Sequence, residues 1–222
     1  MPKNFEDYDY KLSELIGIYP NAVDKKICQK IIDEFESPRY KKAVVNDPRK
    51  QTIELEMFNC NGTPMEECTI AVEKAVHQYS VQYEKDIKNK FPEGYEPLQP
   101  YLLVSGRTGI EGLQIQNYPV GSGGYMPVHI EQIGAECCKR IYSVIIYLND
   151  IDGDGETSFP LAGMKVKPRA GTLLIHPAGT PFYHKGEKCS QEKYIITAWI
   201  VYAIEVSYYE NKNIETRDKV TI

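Results

Sequence analysis

The chain is poor in what a membrane, a disulfide framework or a nucleic acid would demand. No apolar run approaches the roughly 20 residues that a bilayer-spanning helix needs, and the opening Met1-Pro-Lys-Asn-Phe-Glu-Asp7 lacks the apolar stretch of a signal peptide. A soluble, cytoplasmic protein with no membrane partner is the expectation. The six cysteines (Cys28, Cys60, Cys68, Cys137, Cys138, Cys189) show no C-x-x-C spacing, and the adjacent pair Cys137-Cys138 is poorly placed to bridge itself. They are read as reduced thiols. Positive charge is scarce too: 26 Lys and Arg against 31 Asp and Glu leave a formal charge of −5. That balance argues against binding nucleic acid through its phosphates, which takes a concentrated basic surface. A neutral or cationic substrate fits better. Internal repeats and low-complexity segments are absent, and nothing in the sequence fixes an oligomeric state.

What is present suits one packed domain. At 222 residues, 42% hydrophobic and 26% charged, the chain can bury a core and is not disordered. Seventeen tyrosines against six phenylalanines supply apolar bodies with polar tips, suited to a wet cleft or to ordinary strand surface. Residues 1–17 read as an arm or short edge element. Asp24 is a helix N-cap followed by Ile27, Cys28, Ile31, Ile32 and Phe35 at helical spacing, ending before Pro38. Residues 40–58 read as strand, loop, strand, broken at Asp47-Pro48 and basic through Lys41, Lys42, Arg49 and Lys50. Thr63 caps a second helix with Pro64 in its first turn, running through Ile70, Val72, Ala75, Val76, Tyr79 and Tyr83 to a stop at Pro92. His77 lies within that helix with no ligand-spaced partner and is assigned a structural role. Residues 92–112 read as an irregular connector.

After Gly112 the pattern changes to short strands separated by glycine and proline, with 172–175 and 194–201 as buried core strands. Helices first and strands afterwards predict an α+β fold with the helices on one sheet. The chemistry concentrates in this second part. In an extended strand side chains alternate, so His129 and Glu131 of Val-His-Ile-Glu project to one side. A facing strand carrying His184, in Phe-Tyr-His-Lys-Gly, would complete a face of two histidines and one carboxylate. Such a set leaves coordination positions open and suits non-haem Fe(II). His176, in Leu-Leu-Ile-His-Pro, is the rival to His184 because it also follows an apolar strand.

The blocks Leu113-Gln-Ile-Gln-Asn-Tyr118, Gly123-Gly-Tyr-Met-Pro-Val-His-Ile-Glu131, Tyr147-Leu-Asn, Gly155-Glu-Thr-Ser-Phe-Pro160, Val166-Lys-Pro-Arg-Ala-Gly171, His184-Lys-Gly186 and Lys193-Tyr-Ile-Ile-Thr-Ala-Trp199 occur in an order and spacing that resemble the Fe(II)- and 2-oxoglutarate-dependent oxygenases of the prolyl 4-hydroxylase type, in a form similar to those of bacterial viruses. The resemblance implies a double-stranded β-helix, the jelly-roll or cupin-like core, over residues 113–206. Residues 1–112 would be helical support and substrate-side elements, with the first helix bracing the main sheet, and 207–222 a polar tail of the same domain. It implies His129, Glu131 and His184 as catalytic iron ligands, favours His184 over His176, and makes Lys193 the cation for the distal carboxylate of 2-oxoglutarate. Thr197, Tyr147 and Tyr118 would hydrogen-bond that cosubstrate, with O₂ as co-reactant and ascorbate as auxiliary reductant. Glutamate at 131 departs from the aspartate expected in relatives, its extra methylene extending the carboxylate by about 1.5 Å. Arg140 and Trp199 would face a peptide or protein substrate, and residues 40–58 would be either a lid over it or a charged hairpin. The implied reaction is hydroxylation of peptidyl proline with release of succinate and CO₂. An isomerase on the same barrel, or a binding module without catalysis, would leave the Lys193 and Thr197 pair or the ligand set without a purpose.

Overall fold

A computed structural model describes residues 11–92, 108–120 and 127–202. Expectations for residues 1–10, most of the connector, Gly123 to Met126 and the tail lie outside the described residues. Ten strands and two long helices make up the rest: β1 (Gly17–Tyr19), α1 (Lys25–Glu36), β2 (Ala43–Asp47), β3 (Lys50–Glu56), α2 (Met65–Lys90), β4 (Thr108–Tyr118), β5 (Arg140–Tyr147), β6 (Thr157–Phe159), β7 (Met164–Val166), β8 (Leu173–Pro177), β9 (Lys185–Gly186) and β10 (Lys193–Tyr202). A seven-stranded sheet in the order β1-β8-β5-β10-β4-β3-β2 faces a three-stranded sheet in the order β7-β6-β9. Every pairing in both is antiparallel. Helices and β-sheets thus make the expected α+β arrangement, with the jelly-roll-like core closed by these two sheets.

Alternation along the central strands assigns each face of the large sheet. Val144 and Ile146 of β5, Leu173 and Ile175 of β8, and Ile196, Ala198 and Ile200 of β10 join the core beneath the helices. Ile145, Tyr147, Leu174 and Ile195, one residue out of phase, join a second core with Phe159, Val166 and Phe182 between the sheets. The helices cover the first face because their own stripes match it. Cys28, Ile31 and Phe35 of α1 and Cys68, Val72, Val76 and Tyr83 of α2 are buried there. Each such aliphatic or aromatic side chain contributes about 1.5–3 kcal/mol through burial.

Local signals account for most helix ends. Asp24 accepts a 2.7 Å hydrogen bond from the amide of Lys26 and starts α1. The second helix begins at Met65, one residue later than predicted, and the Thr63 hydroxyl accepts from the Met65 amide at 3.3 Å. Gly171, at φ 80°, sits where an added Cβ would be 2.2 Å from the carbonyl oxygen of Val23, so the turn before β8 closes directly on the chain leading into α1. Two boundaries differ from the sequence reading. Residues 108–112 belong to β4 rather than to a connector. Residues 17–19 pair with β8 at one edge of the large sheet, while β2 and β3 form the other, with β3 paired to β4. The segment 40–58 is therefore a hairpin built into the sheet. His77 is exposed on α2.

Candidate functional site

Two facing segments outside the named strands place a histidine against a histidine. His129 and His184 form an isolated antiparallel bridge, each backbone amide donating to the other's carbonyl at 2.9 Å. Each ring is then oriented from behind: His129 Nδ1 lies 2.7 Å from the Pro127 carbonyl and His184 Nδ1 lies 3.2 Å from the Phe182 carbonyl. A carbonyl can only accept, so both Nδ1 atoms carry the proton and both Nε2 atoms face forward with a lone pair. Between them stands Glu131, its Oε1 at 3.4 Å from His129 Nε2 and 3.2 Å from His184 Nε2. Ligand atoms from the three residues all lie within 4.8 Å of one another. The donor set fits a divalent cation: two nitrogens and one carboxylate oxygen converge, and the backbone holds the tautomers that leave the nitrogens free to ligate. Burial would raise the Glu131 carboxyl, yet the two imidazoles facing it, which donate from Nε2 whenever they are protonated there, overcome this and hold it well below the usual carboxylate range.

His176 is close but differently engaged. Its ring is 4.5 Å from that of His184, packed against Phe159 and Phe182, and entirely buried. Nδ1 faces the Pro177 carbonyl at 2.8 Å, Nε2 has no hydrogen-bond partner, and burial, then the neighbouring His184, push it down to about 3. It is a neutral ring behind the convergent set.

The three residues open onto a cavity of about 280 Å³ between the sheets. Strand β10 lines its floor with Lys193, Ile195, Thr197 and Trp199, the alternate positions that face away from the helices. Lys193 is 2% exposed at the inner end, where Nζ donates to the Gly155 carbonyl at 2.9 Å and lies 5.2 Å above the Tyr118 ring. Burial pushes its ammonium down to about 8. Tyr118 donates to Gln116 at 3.1 Å, and Gln116 reaches Thr197 at 3.3 Å. Toward the mouth stand Lys50, Ile133, Cys137, Arg140 and Trp199.

Residues 113–201 match the 2OG-Fe(II) oxygenase superfamily. That core makes the chain a 2-oxoglutarate-dependent dioxygenase, prolyl-4-hydroxylase-like in fold. Among solved structures, this dioxygenase is similar to the viral collagen prolyl hydroxylase of Paramecium Bursaria Chlorella virus-1 in its 2OG complex, at 16% identity over 84% of this chain and 95% of that one, with a TM-score of 0.57. It is similar also to a Pseudomonas putida prolyl-4-hydroxylase (15%, 85% and 92%, TM-score 0.61). A third is a Trichoplax adhaerens prolyl hydroxylase in complex with a hypoxia inducible factor oxygen degradation domain peptide (15%, 85% and 84%, TM-score 0.62). No curated protein sequence matches the chain.

The dioxygenase cavity brings together His129, Glu131, His184, Lys193, Thr197 and Tyr118. Tyr147 is the exception among the residues singled out in the sequence. It is fully buried, does not line the cavity, and donates at 2.7 Å to Thr157, which does. Gln114, Gln116, Thr157 and Ile195 line the cavity without having been singled out. The signal for the glutamines was available, since they stand two and four residues before Tyr118 on one strand and so share its face.

Proposed function

We propose that this dioxygenase hydroxylates proline in a peptide or protein, using Fe(II) held by His129, Glu131 and His184 and 2-oxoglutarate anchored by Lys193. The observation that carries the proposal is a cavity that joins a convergent two-histidine, one-carboxylate face to a buried lysine at its closed inner end. Bound there, Fe(II) and 2-oxoglutarate would supply oxidative chemistry in which O₂ is consumed, succinate and CO₂ leave, and an unactivated C–H bond becomes C–OH. The protein's own part is placement and exclusion of water.

The Phe182 and Pro127 carbonyls hold the Nδ1 protons and aim the rings, so cation binding needs no ring reorientation. Lys193, walled by Tyr118, Thr157, Ile145 and Ile195, offers its charge where water is excluded, which strengthens pairing to a carboxylate. Tyr118 adds a hydroxyl near that end and is linked through Gln116 to that of Thr197 farther along β10, while Tyr147 acts through Thr157 by fixing its hydroxyl. The open end, with Ile133 and Trp199 as apolar surface and Arg140 and Lys50 as donors, suits an extended peptide better than a small ion. The peptide complex of the Trichoplax relative and the 2OG complex of the viral one support this division. Ascorbate is assigned the part of auxiliary reductant, and the six free cysteines accord with a cytoplasmic setting. Among the described residues no helix is long and apolar enough to cross a membrane.

Anaerobic loading with Fe(II) and 2-oxoglutarate, followed by O₂ and a library of proline-containing peptides, tests the reading. Succinate release coupled to a mass gain of one oxygen on proline is expected. Faster oxidation of a free amino acid or a non-proline peptide would overturn the substrate and leave the dioxygenase in place.

A further inference from the structure

Glu111 stands on a face that simple alternation denies it. Leu113 and Ile115 of β4 are buried beneath the helices, and Gln114 and Gln116 line the cavity. An unbroken strand would continue with residue 112 toward the cavity and Glu111 toward the helices. Instead the register slips: Ala198 of β10 pairs with Leu113, Trp199 pairs with Glu111, and Gly112 is the extra residue, at φ 62°. This is a β-bulge with glycine in the left-handed region, a device that re-aims a neighbouring side chain. A Cβ on Gly112 would lie 2.8 Å from the Trp199 ring, so only glycine leaves room for both the bulge and the indole.

The re-aimed carboxylate grips Arg140. Glu111 Oε1 accepts from Arg140 Nε at 2.8 Å, while Lys139 pairs with its other oxygen. The guanidinium lies 3.7 Å above the Trp199 ring. Its Nη1 reaches both the Oε2 and the backbone carbonyl of Glu131, each at 3.5 Å. The two carboxylate oxygens of Glu131 are thus divided, Oε1 between the imidazoles and Oε2 toward Arg140.

We infer that Arg140, clamped by Glu111 and Trp199, is a positioning residue that holds the Glu131 carboxylate in its ligating orientation. The inference rests on the reading of His129, Glu131 and His184 as metal ligands. Its physical motive is the length of glutamate, whose additional torsion offers orientations that a shorter carboxylate lacks and that must be frozen for one oxygen to meet a cation. A planar fork fixed at one edge and stacked on an indole can do this, whereas a flexible ammonium cannot.

Charge and placement act with opposite signs here, which makes the inference decidable. A neighbouring cation weakens divalent-ion binding by repulsion, so if Arg140 acted by charge alone its removal would tighten the metal. Positioning predicts weakening. The experiment is anaerobic Co(II) titration of the full chain, read by visible absorption, for Arg140→Met, Arg140→Lys and Glu111→Gln, each also combined with Glu131→Asp. Removing a group that hydrogen-bonds a metal ligand typically costs about 10- to 100-fold in metal affinity, and that loss is expected for both Arg140 substitutions, with a smaller one for Glu111→Gln. Combined with Glu131→Asp, whose carboxylate ends too short to meet Nη1, Arg140→Met should add no further loss. Unchanged or tighter Co(II) binding on Arg140→Met, or equal losses with and without Glu131→Asp, would overturn the inference. Glu111→Gln, far milder on folding, decides the same question through the sign of its effect. Wild-type protein that binds no Co(II) would instead sink the ligand reading itself.

Discussion

The two ends of the cavity handle buried charge in opposite ways. At the inner end Lys193 is 2% exposed, and loss of solvation dominates: its ammonium is pushed down to about 8. At the outer end Glu131 is also shielded from water, its side chain 13% exposed, yet partners dominate and hold it below the usual carboxylate range. The difference is one of neighbours, since Glu131 touches two imidazoles and a guanidinium whereas Lys193 donates to the carbonyl of Gly155. One end gains from an arriving anion. The other keeps a negative charge ionised for an arriving cation.

Removing the outer charge gives the largest expected effect. Glu131→Ala and His184→Ala should each abolish Fe(II) binding and succinate production, measured by anaerobic titration and product assay. The contrast with His176→Ala sharpens the comparison. That ring contributes packing behind the site, so the variant should keep its metal while losing about 2–4 kcal/mol of stability in urea unfolding, as expected for a large-to-small core change. Retained metal in His184→Ala with loss in His176→Ala would reverse the two roles.

Next in size is the inner end. Lys193→Ala should leave Fe(II) affinity unchanged and raise the 2-oxoglutarate requirement, because breaking one side of a buried ion pair costs roughly 3–5 kcal/mol. Acidity provides a gentler probe of the same group. Lys193 is lowered from 10.5 to about 8, so between those values the unfolded chain binds the proton that the folded chain has released, and this group's contribution to stability rises with pH. Bound 2-oxoglutarate has the opposite preference, since it pairs with the protonated form. Its affinity should fall as pH rises through about 8, a trend that Lys193→Arg should remove. The charges of Cys189, Glu156, Asp154 and Glu187 oppose the downward shift of Lys193 without reversing it.

The smallest effect is expected at Lys50, which reaches the mouth from the β2–β3 hairpin while paired with Glu54 at 2.5 Å. Lys50→Met should raise the KM for a peptide less than about tenfold, the scale of a partly exposed ion pair, and spare the slow turnover of 2-oxoglutarate without peptide. Both activities falling together would mark the hairpin as a structural edge alone.

Much of this was legible because the decisive patterns are local. An N-cap followed by apolar residues at helical spacing specified α1, and alternation along β10 put Lys193 and Thr197 on one face without any knowledge of what they face. The bulge at Gly112 was not legible. A glycine in a strand leaves no hydrophobic mark of which way the register slips, and with residues 92–112 read as a connector Glu111 was given no face at all. The edge position of the hairpin was hidden for a related reason: pairing of Ile53 with Asn117 and Leu55 with Ile115 joins residues far apart in the chain, and a basic, proline-broken segment carries no sign of its partner strand. His176 and His184 both follow apolar residues, so strand pattern alone left them rivals; the family resemblance favoured His184, and the facing backbone of residue 129 sets it opposite His129.

The most direct test of the two-ended cavity is equilibrium binding of 2-oxoglutarate, measured anaerobically with and without Mn(II) as a redox-silent substitute for Fe(II). Tight binding that requires both the metal and Lys193, and that collapses in either Glu131→Ala or Lys193→Ala, is the predicted result. Binding of equal strength without metal, or undiminished in Lys193→Ala, would contradict it.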